Sequence, residues 1–341
     1  MHPQAQETIA FALISVTGTF LLLFLLWTAS WVFFLAFASI LFAIYLKGLA
    51  YLISGISAVS RKRSLYLAIA LTASAAALLL WSLMPDLSWQ IPRLRSDLAT
   101  ALNWLEKRIA EFPILKGVVV EGSAGDYLSR AVPRLLSFGY TLLGGVAGAL
   151  LVIVIGTYLA LQPELYCAGF IALLPATERD RATRLLERLA STLQWWLIGR
   201  ISAMIAVGLL TWLSLAAIGI PFSLSLGLLA AVLGWIPNFG PFIAAAPSVL
   251  LALQQSSSKA LWVGVIYIII QTVESFLITP AIQQRAVAVP PALLITAQLM
   301  LGAVYGVLGL LFATPLLAVT LVLVREVYLS PDDLSVIKEQ F

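Results

Sequence analysis

The chain has 341 residues, 61% of them hydrophobic and 11% charged, against roughly a quarter charged in an ordinary soluble domain. That leaves too few polar residues to cover a soluble surface, so the solvent for most of the chain is lipid and the expected fold is an all-α integral membrane protein. Cys167 and His2 are the sole residues of their types, which excludes an intrachain disulfide, a Cys/His zinc site and a Ser-His-Asp triad, while the net charge of +4 comes from basic residues flanking apolar runs, a pattern that sets membrane orientation and gives no sign of nucleic-acid binding.

About 20 apolar residues are needed to cross a hydrocarbon core of roughly 30 Å. The first such run, 9–27, has no Lys or Arg before it and no small-residue cleavage site after it, so no cleaved signal peptide is expected. A second run, 31–46, follows closely enough to form a tight hairpin with the first. The stretch 47–64 carries Lys47, Arg61, Lys62 and Arg63 without an acidic residue, and the positive-inside rule places it, and with it the N-terminus, in the cytoplasm. These runs and a third, 65–84, make an N-terminal membrane unit over residues 1–84.

Residues 85–137 mix both signs of charge and read as a small extramembrane helical insertion on the outer side. Within it Leu94, Leu98, Leu102, Leu105, Ile109 and Phe112 recur at steps of three or four, the apolar stripe of an amphipathic helix packed on its neighbours. A unit over 138–218 holds two more spans, 138–161 and 195–218. The glycines at 144, 145, 148 and 156 in the former allow close helix approach. Between the spans, Thr177 and Asp180 sit at capping-box spacing, and Arg179, Arg181, Arg184 and Arg188 restore a basic, cytoplasmic side.

The unit 219–328 is the expected transport core, followed by a cytoplasmic tail, 329–341. Its sixth ordinary span, 261–278, lies between two odd segments. In 222–253 the apolar run is interrupted by Gly-Trp-Ile-Pro-Asn-Phe-Gly-Pro at 234–241, and in 290–324 it softens around Gly302 to Gly309, with Pro315 beyond. Each is too long for one untilted span and short for two. Proline stops the helix near Pro237, and broken backbone at membrane depth survives only where it is buried in protein or lines a wet cavity. The expectation is therefore about six full spans plus two broken re-entrant hairpins of opposite orientation, an inverted-repeat arrangement found in many secondary transporters.

Glu274 stands inside the sixth span with no charge within ten residues on either side. A buried ionisable group there marks a functional site by default. It could carry a coupling proton or ion, or touch substrate; the structural alternative is a carboxyl paired with a distant arginine such as Arg200. Tyr267 and Gln271 share its helix face. Arg200 reads as an interfacial snorkelling residue at the entrance of the fifth span, with substrate contact as the alternative. Asn238 at the broken tip could present its amide to a solute, and half-helix ends near Pro237, Gly240 and Pro241 leave unpaired backbone groups. Gln298 and Thr314 are the counterparts in the second hairpin. No phosphate-cradling Gly-Lys-Ser/Thr loop is present, so ATP hydrolysis has no support here; the chain is not read as an enzyme, and no catalytic residue, metal or cofactor is expected.

Several motifs of the C-terminal half carry a resemblance: the run 234–241, Ala-Pro-Ser-Val-Leu-Leu-Ala-Leu at 246–253, Glu274 with Thr279-Pro280, Pro290-Pro291, and Gly302 through Gly309 to Ala-Thr-Pro-Leu at 313–316. Together they resemble the autoinducer-2 exporter family, also described as PerM-like permeases. What the resemblance implies is a transporter driven by ion gradients, for autoinducer-2 in some members and for sodium or lithium against protons in others. It also implies a homo-oligomer, and places Thr279 with the substrate-pathway residues. The expected partners are a small polar solute or monovalent ions, together with membrane lipid.

Overall fold

A computed structural model describes residues 30–56, 59–110, 146–278 and 289–327. Among these residues the chain is helical without a strand, and five helices are long and apolar enough to cross a membrane, or six if one bent pair counts as a span. The first predicted span, 9–27, lies outside the described residues.

Helix α1 spans Ser30–Ile56 and α2 Arg61–Ala110. The expected loop 47–64 is thus mostly helix. Lys47 is exposed on α1, and a lysine that can reach polar surroundings along its stem does not stop a helix. The 50 residues of α2 extend about 75 Å at 1.5 Å per residue, so the helical insertion is, as far as Ala110, a direct continuation of the third span. Pro85 and Pro92 lie within it; each removes a single ladder bond. Leu94 and Leu98 are buried as their spacing predicts, in a cluster with Leu215, Leu226 and Leu250.

Helix α3, Val146–Leu161, packs on α1 through Gly156, where a Cβ would lie 2.7 Å from the Ser39 carbonyl and 2.8 Å from the Phe42 ring. Helix α4, Pro163–Ala172, departs from it at 81°. A 3₁₀ turn, Ala176–Glu178, leads into α5, Arg179–Ala217. The predicted capping box is not formed. Thr177 belongs to the 3₁₀ turn, and Glu178 occupies the cap position without a side-chain bond.

The first broken segment is a helical hairpin, α6 over Ser223–Leu233 and α7 over Gly240–Gln255. Gly208 of α5 and Gly227 of α6 meet closely: a Cβ on Gly227 would lie 2.9 Å from the Gly208 carbonyl and 2.6 Å from Trp212 Cβ. Helix α8, Ser257–Val273, is capped by the Ser256 hydroxyl and ends in a π turn, Glu274–Ile278. The last helix, α9 over Pro291–Val327, is broken at Gly306 (φ 60°, ψ −136°). A Cβ on Gly309 would lie 1.9 Å from the Leu301 carbonyl, whereas eight residues of straight helix span about 12 Å. Residues 291–305 and 307–327 are therefore two arms of a second hairpin.

The hairpins lock together at their tips. Trp235 Nε1 donates to the Leu311 carbonyl at 2.8 Å, and Gln298 Nε2 donates to the Pro237 carbonyl at 3.0 Å. The Leu311 carbonyl lies four residues before Pro315 and so lacks the helical N–H that would otherwise fill it, whereas the Pro237 carbonyl lies outside any helix and also accepts from Phe239 N–H at 2.8 Å. Each hairpin thus supplies a side-chain donor to a backbone carbonyl of the other. Their open ends lie elsewhere: Ser225 Oγ of α6 donates to Gln90 Oε1 of α2 at 2.7 Å, while Glu326 of α9 is ion-paired to Arg188 and accepts from Arg181 at the start of α5.

Candidate functional site

Around the tip of the first hairpin lies a cavity of about 260 Å³, small beside the 300–1,000 Å³ of drug-sized sites. Arg200, Gly199, Trp195, Trp196 and Thr192 line it from α5, Pro237 and Asn238 from the tip, Gln271, Glu274 and Ser275 from the end of α8, and Thr314 from the second arm of α9. Six of the predicted residues, Arg200, Pro237, Asn238, Gln271, Glu274 and Thr314, are thereby brought to one place.

At its centre Arg200 Nη1 and Glu274 Oε1 are 3.3 Å apart, with their side chains 11% and 8% exposed. The interfacial reading of Arg200 is overturned. Helix α5 begins at Arg179, sixteen residues before the predicted span, so Arg200 falls near mid-helix and turns inward. The pair joins positions 74 apart in sequence. Such a pair gains from a low dielectric, but desolvation offsets much of the gain, and removing one partner from a buried pair costs about 3–5 kcal/mol. Arg200 Nε and Nη2 and Thr314 Oγ1 have no hydrogen-bond partner. Buried polar groups are rarely left so, and those that are need a physical reason.

Other predicted residues serve differently. Tyr267 is turned from the cavity: its hydroxyl pairs with Ser248 Oγ at 2.9 Å and donates to the Ala244 carbonyl at 3.1 Å, tying α8 to α7. The polar stripe of α8 is therefore split, with Gln271 Nε2 donating to Ser275 Oγ and Glu274 opening the π turn. Short π segments occur often at functional sites because they re-aim the side chains that follow. Gln298 is fully buried and holds the tip, with Asn238 Nδ2 3.5 Å from its Oε1. Asn238 takes a left-handed conformation, φ 67°, which asparagine tolerates better than most residues. Gly240 and Pro241 act through backbone, as the start of α7 against Leu233. Thr279 lies outside the described residues. Thr192, Trp196 and Ser275 were not singled out by sequence; their proximity to Arg200 and Glu274 in the chain was the available signal.

Comparison with known proteins gives this arrangement a family. Residues 14–329 match the family described as AI-2E family transporter. The chain is 26% identical over 246 residues to "Putative transport protein YueF" of Bacillus subtilis, covering 70% of this chain and 66% of that protein. It is 31% identical over 147 residues to YrrI of the same organism, named in the same way, covering 43% and 42%. With "AI-2 transport protein TqsA" of Escherichia coli it shares 26% identity over 244 residues, 70% of this chain and 68% of TqsA. The chain thus spans about two thirds of the length of YueF and less than half that of YrrI.

Proposed function

The chain belongs to the AI-2E transporter family, a family of multi-pass membrane transporters, and from that premise we propose that it is a secondary transporter exporting a small polar solute, coupled to an ion gradient through Glu274. AI-2, named for TqsA, is the first solute to test. The observation that carries this reading is the cavity where two broken helices meet, holding a buried ion pair and an unpartnered threonine hydroxyl. Hairpins serving only as scaffold would be sealed by apolar packing; these enclose polar groups.

We read the two hairpins as re-entrant and opposed. The open end of the first lies beside Gln90 and that of the second beside Arg181 and Arg188, at opposite ends of the long helices between them. With the basic start of α5 on the cytoplasmic side of the inner membrane, both termini are cytoplasmic and the first hairpin enters from outside. Assembly into homo-oligomers is carried over from the family resemblance. A second reading, a sodium or lithium/proton antiporter, draws on the oxygens of Glu274, Ser275 and Thr314 among the residues that line the cavity. Flux into proteoliposomes, with AI-2, other small polar solutes and monovalent cations under imposed proton and sodium gradients, separates the readings. Gradient-driven movement of a solute supports the exporter, movement of cations alone supports the antiporter, and no gradient-dependent flux of any kind sinks both in favour of a scaffold.

A further inference from the structure

The ion pair uses only part of Arg200. Glu274 Oε1 takes Nη1, leaving Nε and Nη2 without a partner. These two nitrogens lie along one edge of the planar guanidinium, the edge that receives a carboxylate or phosphate through two parallel hydrogen bonds. A guanidinium edge left buried and unpaired among packed helices is costly, and Arg200 itself lines a cavity large enough for a small solute. Nη2 and Nε are covered in the conformation described, as an occluded site requires. The hydrogen bond to Glu274 is the polar contact that holds the guanidinium in this position.

We propose that Arg200 is the anchor for an oxyanion of the transported solute, a carboxylate or a phosphate, and that Glu274 occupies the guanidinium when the solute is absent. The inference rests on the transport reading above and names its substrate class. Uptake of a proton by Glu274 removes the competing charge, frees Arg200 to turn its paired edge toward the cavity, and lets the incoming oxyanion replace the carboxylate. No covalent bond changes; one proton moves onto Glu274 and one anion onto Arg200. Among the described residues lining the cavity, Arg200 from α5 and Glu274 from the π turn are the charged groups, and the hydrogen-bonding side chains contributed by the hairpins, Asn238 and Thr314, are uncharged. Among the described residues the exchange therefore has no other ionisable lining group to compete with it.

The test is direct binding by the full chain in detergent, followed as a shift in thermal unfolding with sodium acetate and, separately, sodium phosphate at matched ionic strength. Wild type should give a saturable, pH-dependent upward shift with one of the two, and the responding anion identifies the group. Glu274→Gln should bind about tenfold more tightly or better, with no pH dependence beyond the anion's own ionisation, since the competitor has lost its charge. Arg200→Gln should lose the shift, and Arg200→Lys should recover only a small part, because an ammonium lacks the paired edge. A monodisperse Glu274→Gln protein with no shift from either anion overturns the inference, as does an equal shift in Arg200→Gln. Oxyanion binding without gradient-driven flux would sink the transport reading and leave the anchor. Proton-driven flux of uncharged solutes with no oxyanion binding would sink the anchor alone.

Discussion

At the hairpin turns, single atoms decide what residue is allowed. A Cβ on Gly240 would lie 2.0 Å from the Leu233 carbonyl, and one on Gly309 1.9 Å from the Leu301 carbonyl, so backbone must move to accept even alanine. Gly240→Ala and Gly309→Ala should each lower stability by about 1–3 kcal/mol or more, read as a fall in the unfolding temperature of detergent-purified protein. Gly264→Ala on α8 is the control. Nothing lies within 4 Å of its added methyl, and alanine favours helix by about 1 kcal/mol, so stability should hold or rise. Equal losses at all three positions would contradict the close-approach account. These glycines were legible in sequence because they stand in runs otherwise built for helix. Glu274 was legible for the same reason, as a lone charge among apolar residues. Its pairing with Arg200 was legible only as the structural alternative, because nothing local connects residues 74 apart. Tyr267 misled, since a shared helix face does not tell a cavity from a packing contact, and its hydroxyl is spent on α7.

At the scale of elements, one of the bonds that join the two hairpins is made available by proline. Pro315 leaves the Leu311 carbonyl without its helical donor, and Trp235 Nε1 fills it. Trp235→Phe removes that donor and should cost about 1 kcal/mol or more by orphaning a part-buried carbonyl. Pro315→Ala restores the helical N–H, so in that background Trp235→Phe should cost markedly less. A double-mutant cycle by thermal or denaturant unfolding measures the difference, and an additive result would show that the bond does not link the hairpins. The positions of both breaks were readable from Gly and Pro alone. Helix boundaries were not. Helices α2 and α5 run well past the apolar stretches that announced them, because charged residues mark where a helix leaves lipid and do not end it. That error displaced Arg200 from the middle of α5 to its entrance.

For the molecule as a whole, the long helices fix which groups share a side. The proposed orientation puts the start of α2 in the cytoplasm and Thr100 outside. In a Cys167→Ser background, which removes the exposed native thiol, cysteines at the exposed positions Lys62 and Thr100 should react with an impermeant maleimide from opposite faces of sealed vesicles. Reaction of both from one face would overturn the orientation.

The transport account as a whole turns on whether Glu274 must change charge, and one comparison tests it most directly: proton-driven solute flux in proteoliposomes of wild type, Glu274→Gln and Glu274→Asp, alongside the amount of folded protein. The amide of glutamine keeps the shape of the side chain and an oxygen to accept from Arg200 Nη1, yet it cannot carry a proton on and off. The account predicts that Glu274→Gln, though less stable for want of the charged partner, still gives folded and assembled protein that has lost pH-driven flux per folded molecule, while Glu274→Asp retains a reduced rate, the acid surviving with a shorter reach. Unchanged proton-driven flux in well-folded Glu274→Gln, or a loss of flux that only follows a loss of folded protein, would contradict it.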